Sequence, residues 1–370
     1  MQTFESTFQI KISSTAGVLK HIVTDYKDMA IRKKVNAAGV LAFTIDFENE
    51  AIQYMVADAL VEVWRKVINT TTGETVIDWT REWNGVFKDY SIKFVENQYF
   101  FNAVCVGDMA LLSGREILYY AGTTGKTKFT GQKAETIMKD LVKYNAGSSA
   151  TTGNGRIRTG TITGLSVETD SARGNTLNFS CAWENLLESL QKIAKVGGAD
   201  FDLVKTGVAA WEFRYYPGQL GTDRTTSVVF SLDRGNMKNP ELLIIRSLEK
   251  TAIAVLGAGE ESSRRVRVVT GANYSATNDI EEAYDARNET DTDAALDSRG
   301  AVIAKEKEKT VALEFEIVQT EGARYGQHYF LGDLVTAIFA GYSETLKVTA
   351  VEISSSVSDV EQIFVEVSNV

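Results

Sequence analysis

Cysteine and histidine are scarce in this sequence of 370 residues, which contains two of each. Two cysteines cannot build the disulfide framework of a small secreted domain. Cys105 and Cys181 both lie in apolar, strand-like segments, where we expect buried free thiols. His21 and His328 offer little for a histidine-based metal site or a catalytic triad. The sequence therefore argues against a disulfide-rich scaffold and against histidine-dependent chemistry.

Long apolar runs and a surplus of basic residues are also missing. No segment approaches the roughly 18 uninterrupted apolar residues of a membrane-spanning helix, and the start MQTFESTFQIKISS lacks the basic and apolar regions of a secretory signal. The formal net charge of -10 argues against a protein that wraps nucleic acid through its phosphates. The 44% hydrophobic and 24% charged content is typical of a globular protein. The length predicts roughly two to three domains.

Alternation of apolar and polar residues dominates residues 1–118. Phe8, Ile10 and Ile12 share one face of a strand, and LAFTIDF repeats the pattern. Residues 52–68 fit either a helix or, in their second half, a strand. We favour the strand, because the aromatic and β-branched runs TVIDWTREW, VFKDYSIKF and QYFFNAVCV follow it and supply partners. This region is predicted to be a compact β-domain.

Residues 119–240 alternate helices with strands. Thr130 is predicted to cap a helix over GQKAETIMKDLVKYN, and ENLLESLQKIAKV is a second amphipathic helix that stops at Gly197 and Gly198. FDLV, WEFRYY and SVVFSL are strand-like. The pattern indicates an α/β unit of ordinary domain size.

Residues 241–370 end with the clearest local pattern of the chain. TDAALDSRGAVIAKEKE predicts a helix with Thr292 as its N-cap, and VALEFEI after it alternates apolar with polar residues. A Leu-Gly-Asp turn at residues 331–333 leads to the strand-like runs LVTAIF, LKVTAVEI and QIFVEV. We predict a four-stranded antiparallel unit, a small barrel, with a helix-bearing insertion at about 267–309.

Gly125, Lys126 and Thr127 match the end of a phosphate-binding P-loop and follow the strand-like run ILYYAG. The motif also needs a glycine five positions before Gly125, so that backbone amides can surround the phosphates, and Tyr120 stands there. GAGEESS, from residue 257, lacks the third glycine of a dinucleotide fingerprint. We interpret both segments as loops and expect no nucleotide chemistry at Lys126.

The acidic run DARNETDTDAALD, residues 285–297, lacks the spacing of a calcium loop. Asp291 and Asp293 are followed by Ala295 and Leu296, whereas the loop requires further oxygen ligands. A solvated helix N-terminus is the better interpretation. No carboxylate pair is singled out by spacing, so glycosidase chemistry is neither supported nor excluded. No GxSxG or HExxH motif occurs. We predict a protein that is not an enzyme, with no catalytic, cofactor-binding or metal-binding residues.

The segments LLESLQKIAKVGGADFDLV, WEFRYYPGQLGTDRT, VVFS and RGNM, within residues 186–236, carry a family resemblance. With HYFLGDLVTAIF later in the chain and VEVWR, REW and VFK earlier, they resemble the tail-hub (baseplate hub) proteins of tailed bacteriophages. The resemblance implies an α+β, β-rich fold with two small, tail-tube-like β-barrel domains, 1–118 and 241–370, around the α/β domain 119–240. Because no C-terminal extension follows the second barrel, we expect no attached lysozyme, peptidase or fibre domain.

The function that the resemblance implies is mechanical. Such a protein is a structural component of the virion tail tip, made in the host cytoplasm, in which a homotrimer adapts the sixfold tail tube to threefold tip components. Its implied partners are itself, distal tail or tail-tube ring proteins, the tape-measure protein, tip fibre or spike proteins, and DNA that passes without specific binding. A net charge of -10 suits an acidic or neutral channel lining, which repels phosphates.

A receptor- or carbohydrate-binding protein of the tail tip is the alternative function. Such a protein uses aromatic side chains exposed on a loop face. Trp64, Trp79, Trp83 and Trp211 lie inside strand patterns instead, so we expect them in the core. This placement favours the hub.

Overall fold

The computed structural model describes residues 4–118, 127–181, 183–287, 292–318, 320–356 and 361–369. The chain is β-rich, with 50% strand and 15% helix, in agreement with the predicted α+β class. Its described strands form one sheet of thirteen strands, one of two and two of three. None of the helices in these ranges has the length and apolar character that crossing a membrane requires.

The first region contains seven strands and one short helix. They are β1 (Phe4–Ser13), β2 (Leu19–Val23), β3 (Asp28–Lys34), β4 (Val40–Asp46), β5 (Leu60–Asn69), β6 (Thr75–Val95), β7 (Gln98–Gly107) and α1 (Ala110–Ser113). The choice of strand over helix is confirmed by β5. TVIDWTREW and VFKDYSIKF, predicted as two strands, are the single strand β6. Gly85 between them makes no turn; a Cβ there would lie 2.1 Å from the Val106 carbonyl oxygen, so this glycine serves close strand approach.

The middle region contains two amphipathic helices and six strands. They are β8 (Thr127–Lys133), α2 (Ala134–Asn145), β9 (Leu165–Val167), β10 (Thr176–Cys181), α3 (Leu186–Gly197), β11 (Ala199–Gly207), β12 (Ala210–Pro217) and β13 (Val229–Ser231). Both predicted helices exist, but Thr130 does not cap α2. It lies inside β8, which pairs with β10 and keeps the backbone extended until Lys133. The second helix, α3, ends at Gly198 in the left-handed conformation, as predicted.

The last region contains one helix and eight strands. They are β14 (Met237–Ile245), β15 (Ala252–Leu256), β16 (Val266–Thr270), β17 (Glu281–Asp285), α4 (Asp293–Glu306), β18 (Thr310–Ile317), β19 (Leu334–Phe339), β20 (Tyr342–Ser356) and β21 (Gln362–Asn369). The helix capped by Thr292 is confirmed as α4. The predicted antiparallel unit is present in the order β18-β21-β20-β19. β15, expected in the second barrel, pairs instead with β16 and β17, beneath α4.

One strand pair joins the two ends of the chain. The large sheet has the order β14-β18-β21-β20-β3-β4-β7-β6-β5-β1-β2, with β19 beside β20 and β13 beside β19. Residues 350–356 of β20 pair antiparallel with residues 28–34 of β3. We call this pair the internal junction. Strands β1 to β7 are the first half of the sheet, and β13, β14 and β18 to β21 are the second half.

Two closed barrels were expected, whereas the described strands follow an open path that ends at β2 and β14. The long strand β20 explains the difference. Its N-terminal part pairs with β19, but its C-terminal part extends to β3 of the other half. Backbone groups that could close the second half on itself therefore join the two halves instead.

The two halves share one strand register around their long strands, β6 and β20. Each long strand pairs with the strand before it through its first part and with the strand after it through its second part. Opposite the following strand, each carries a bulged residue, Lys88 in β6 and Thr349 in β20. The flanking pairs are Val86–Leu60, Phe87–Cys105 and Asp89–Val104 in the first half, and Lys347–Leu334, Val348–Val367 and Ala350–Glu366 in the second. Residues 89–95 thus correspond to residues 350–356.

The apolar residues form three cores. The largest combines both halves and includes Ile31 and Ile353, which lie opposite each other across the internal junction. A second core combines the α/β unit with residues of the first region such as Leu60, Val86 and Leu112, and a third lies between α4 and the small sheet around β15. Cys105 and Cys181 are buried free thiols, as predicted. Burial raises the pKa of Cys181 to about 12, which leaves it an unreactive thiol.

Candidate functional site

A buried ion pair ties the two halves of the sheet together. Arg65 of β5 donates from Nε and Nη2 to the two carboxylate oxygens of Glu361, at 2.6 and 2.5 Å. The side chains of Arg65 and Glu361 are 2% and 8% exposed. Burial alone lowers the pKa of Arg65, but the charge of Glu361 raises it above its ordinary value. Arg65 therefore stays charged, and the carboxylate of Glu361 compensates its buried charge.

A second cluster lies beside this pair. Glu82 of β6 accepts hydrogen bonds from Lys33 Nζ of β3 and from Tyr325 Oη, the latter at 2.8 Å. Burial favours a raised pKa at Glu82, but Lys33 and Arg65 outweigh it and hold the pKa below its ordinary value. Burial and the neighbouring Glu82 hold the pKa of Tyr325 well above its usual range. The phenol thus stays a neutral donor to an ionised carboxylate.

The Leu-Gly-Asp turn at residues 331–333 fastens the α/β unit to the second half. Gly332 takes a φ of 88°, which favours glycine. The turn places Asp333, 2% exposed, where it accepts hydrogen bonds from Thr222 N at 2.6 Å and Arg224 Nε at 2.7 Å. The Leu-Gly-Asp motif that stands out in the sequence therefore connects the α/β unit to the second half of the sheet through hydrogen bonds.

Asp200 of β11 contacts all three parts of the chain. Its side chain accepts hydrogen bonds from Asn36 of the first half at 2.9 Å and from the backbone of Leu220 at 2.8 Å. Lys347 of the second half lies 2.9 Å from both of its carboxylate oxygens. Because Asp200 is 1% exposed, this one carboxylate fixes the relative position of three units.

A cleft of about 350 Å³ lies where these units meet. Asp108, 4% exposed, borders it and accepts hydrogen bonds from Asn84 Nδ2 and Trp211 Nε1. Among the described residues, the second oxygen of Asp108 and the indole nitrogen of Trp83 have no hydrogen-bond partner. Both atoms are buried beside the cleft, so their polar groups are left without a partner in the described part of the chain.

Two carboxyl groups in the cleft have raised pKa values. Burial raises the pKa of Asp108, against the attraction of Lys205. Burial also raises the pKa of Asp202 to about 6, and the neighbouring Asp108 adds to the shift. The residues that line the cleft include no serine, cysteine or histidine. Within the described ranges no group of three or more metal-ligating side chains occurs. The hydrogen bonds and ion pairs of these residues position the units relative to one another.

Tyr120, Gly125 and Lys126 lie outside the described residues, so the predicted absence of nucleotide chemistry stays a prediction. The following helix starts at Ala134, well after Lys126. GAGEESS connects β15 with β16 and contains a short 3-10 turn, Glu261–Ser263, as interpreted.

The carboxylates of the acidic run have basic partners. Residues 288–291, which include Asp291, lie outside the described part. Of the others, Asp285 pairs with Arg264 at 2.9 Å, and Asp297 pairs with Arg267 at 2.8 Å. Hydrogen bonds from Arg267 hold the pKa of Asp297 below its ordinary value. These carboxylates stabilise the small sheet beside α4.

Aromatic residues divide between core and surface. Trp83 and Trp211 are buried, as predicted, whereas Trp64 and Trp79 are half-buried. The β6–β7 hairpin exposes other aromatic residues, which the sequence did not single out. They are Tyr90, Phe94 and Tyr99, each between 56% and 59% exposed. The strand alternation that predicted β6 gave no reason to expect both of its faces in solvent at this end.

A family model described as Siphovirus ReqiPepy6 Gp37-like protein matches residues 9–367. The chain belongs to this family. None of the curated proteins matches it in sequence.

Solved tail proteins share the fold over nearly their whole length. The tail protein from Neisseria meningitidis MC58 has a TM-score of 0.61 at 11% identity, covering 99% of this chain and 97% of that one. The 43 kDa tail protein of prophage MuSo2 from Shewanella oneidensis has a TM-score of 0.60 at 14% identity, covering 98% and 97%. The prophage tail protein gp18 from Listeria monocytogenes EGD-e has a TM-score of 0.58 at 10% identity, covering 98% and 94%.

A chain in the Francisella PdpA-VgrG complex is also similar, with a TM-score of 0.57 at 10% identity. It covers 100% of this chain, which spans 58% of that longer one. Identities this low establish a shared fold. The resemblance to phage tail proteins suggested by the sequence is confirmed, and the chain is of the phage tail type in family and fold.

Proposed function

We propose that this chain is a structural, non-enzymatic component of a phage virion that forms a homotrimeric hub at the distal end of the tail. The hub adapts the sixfold tail tube to threefold tip components and lines part of the DNA channel. Its proposed units are 1–118, 119–240 and 241–370. The helix-bearing insertion starts near residue 250, because β15 pairs with β16 and β17.

The shared register of the two halves carries the proposal. The bulges at Lys88 and Thr349 and the pairs around them make β5–β6–β7 and β19–β20–β21 equivalent units in one chain. Closed cyclic symmetry then multiplies two units per chain by the number of chains. Three copies present six equivalent units, which is the number that a sixfold tube needs.

The buried contacts support a rigid, load-bearing role. The Arg65–Glu361 pair, Asp200 and Asp333 fix the two halves and the α/β unit relative to one another. Such contacts hold the units of a ring in a fixed relative position. The Francisella complex that contains a chain of this fold also contains a second protein, which supports partners at the tip.

Native mass spectrometry of the full chain, followed by electron microscopy of tail tips, tests the proposal. We expect a species of three copies, and a ring whose lumen carries carboxylates and few basic side chains, because net charge -10 suits a lining that repels phosphates. A chain that stays monomeric in intact particles, or a lumen rich in Lys and Arg, contradicts the hub.

The exposed aromatic residues of the β6–β7 hairpin favour one alternative, a receptor- or carbohydrate-binding tail-tip protein. Phe94 and Tyr99 lie with their ring centroids 4.6 Å apart at the tip of the hairpin. A glycan array and a host-cell binding assay distinguish the functions. Binding that Phe94→Ser abolishes, while the copy number stays unchanged, supports the alternative.

A further inference from the structure

The internal junction shows how one half of the sheet docks on another. Residues 350–356 of β20 lie antiparallel beside residues 28–34 of β3, with Ile353 opposite Ile31. Both isoleucines are fully buried. The junction therefore combines backbone pairing with a dry apolar contact.

The strand that corresponds to β20 has a free edge. Residues 89–95 of β6 correspond to residues 350–356, and among the described strands they pair only with β7. Their apolar side chains are exposed instead of buried. These are Tyr90 at 59%, Ile92 at 48%, Phe94 at 58% and Val95 at 50%.

The strand that corresponds to β3 is β14. The correspondence follows from the strand pairs on either side. In the first half, Arg32 pairs with Val40 and Val40 pairs with Val106. In the second half, Leu243 pairs with Ala312 and Ala312 pairs with Ser368. Leu242 thus takes the place of Ile31. Among the described strands β14 pairs only with β18. Its side chains Leu243, Ile244 and Ile245 are exposed to solvent.

We propose that β6 of one copy pairs antiparallel with β14 of the next copy, in the register of the internal junction. This register places Ile92 opposite Leu242, as Ile353 is opposite Ile31. It also places Lys93 opposite Glu241, so that opposite charges face each other. The inference rests on the proposed homo-oligomer and specifies its interface.

A second copy is the occupant that these edges fit. One chain supplies both the exposed segment of β6 and its complement on β14, so a head-to-tail contact repeats until a ring closes. Exposed apolar side chains on an unpaired strand edge are normally covered, and among the described residues Ile92, Phe94, Leu243 and Ile244 on these two edges remain exposed. The internal and intermolecular junctions then alternate around the ring.

Disulfide trapping in the full chain tests the register. Directly opposite residues in antiparallel strands lie about 4.5–5.5 Å apart between Cα atoms, within disulfide range. We expect Ile92→Cys/Leu242→Cys to cross-link between chains under copper-phenanthroline oxidation, at least tenfold faster than the control pair Ile92→Cys/Ile245→Cys, which is out of register. The native cysteines are buried and can remain.

Further variants separate the possible outcomes. Mixing the two single-cysteine variants should stop at two-chain products, because the contact is head to tail. Two outcomes overturn the proposed pairing. In the first, Ile92→Cys cross-links to itself. In the second, the variant Ile92→Cys/Ile22→Cys cross-links preferentially, which places the contact at the other open edge, β2.

The number of chains in the closed cross-linked product of Ile92→Cys/Leu242→Cys tests the hub separately. Three chains support both proposals, and another closed number keeps the strand pairing but contradicts the trimer. A trimer in native mass spectrometry without register-specific cross-linking keeps the hub and overturns the pairing. A chain that neither assembles nor cross-links at any concentration contradicts both.

Discussion

The two long strands β6 and β20 occupy equivalent positions in very different surroundings. Val351 and Ile353 of β20 are fully buried at the internal junction, whereas Tyr90 and Ile92, their counterparts on β6, are 59% and 48% exposed. In the same strand arrangement, one edge is therefore paired with a neighbouring strand and the other is left open. The difference shows that the single chain satisfies only part of the pairing capacity of its own repeat.

The largest expected effect concerns the Arg65–Glu361 ion pair, which joins the two halves of the sheet together with the internal junction. Glu361→Gln leaves the buried Arg65 charge uncompensated, so we expect a loss of about 3–5 kcal/mol in the free energy of unfolding. Urea denaturation measures it.

Two variants control for other causes of that loss. Arg65→Met with Glu361→Leu removes both charges and should recover most of the stability. Asp46→Asn breaks the exposed pair with Lys27, whose side chains are 47% and 42% exposed, and should cost at most about 1 kcal/mol. Equal losses for Glu361→Gln and Asp46→Asn contradict the buried-pair argument.

The apolar contacts of the two edges should respond oppositely to truncation. Ile353→Ala leaves a cavity at the internal junction, and we expect it to destabilise the single chain by about 2–5 kcal/mol. Ile92→Ala should change the stability of the isolated chain by less than about 0.5 kcal/mol, because its side chain is exposed there. Sedimentation should instead show weaker self-association for Ile92→Ala. If Ile92→Ala destabilises the isolated chain as much as Ile353→Ala, the open-edge interpretation is wrong.

The carboxyl groups in the cleft beside the internal junction should make the stability of the chain depend on pH. Burial holds the folded-state pKa of Asp202 at about 6, above the ordinary aspartate value of 3.8, so its ionisation costs stability above about pH 6 and the cost disappears as the pH falls towards 4. We expect Asp202→Asn to stabilise the chain by about 1–3 kcal/mol at pH 8 and by little at pH 4.

Glu82 should show the opposite pH dependence to Asp202. The pKa of Glu82 is held below the ordinary glutamate value of 4.5, so its stabilisation is present above that pH and is lost as the pH falls. Glu82→Gln should therefore lose stability at neutral pH. Thermal unfolding across the pH range measures both, and the same pH profile for the two variants contradicts this assignment.

Local periodicity was sufficient to predict most elements, because the relevant interactions are close in sequence. Helix α3 follows from its amphipathic pattern and from Gly197 and Gly198 at its end, and helix α4 follows from its cap, Thr292. The start of α2 was wrong, since β8 is held extended by β10, a partner far along the chain. The pairing of β20 with β3 likewise depends on residues more than 300 positions apart, which no local pattern encodes.

The polar cluster at the unit boundaries was only partly visible in the sequence. The alternation of Asp200 and Asp202 places both carboxylates on one face of β11, and that spacing was a usable signal. Asp108 gave none, because its partners Asn84 and Trp211 come from two different units. The Leu-Gly-Asp turn was recognised as a feature, but its contacts required the fold.

The smallest expected effect is the most specific for the open edges. Lys93 and Glu241 are exposed and face each other only if β6 and β14 pair in the proposed register. Lys93→Glu or Glu241→Lys alone places like charges opposite each other, and cross-strand pairs contribute about 0.2–1 kcal/mol, so each should weaken self-association up to about fivefold. The double exchange should restore it, more clearly at low salt. Lys20→Glu on β2 carries the same charge change at the other open edge and should leave association unchanged. Because the charges are exposed in the single chain, a rescue measured by sedimentation reports only on the contact between copies.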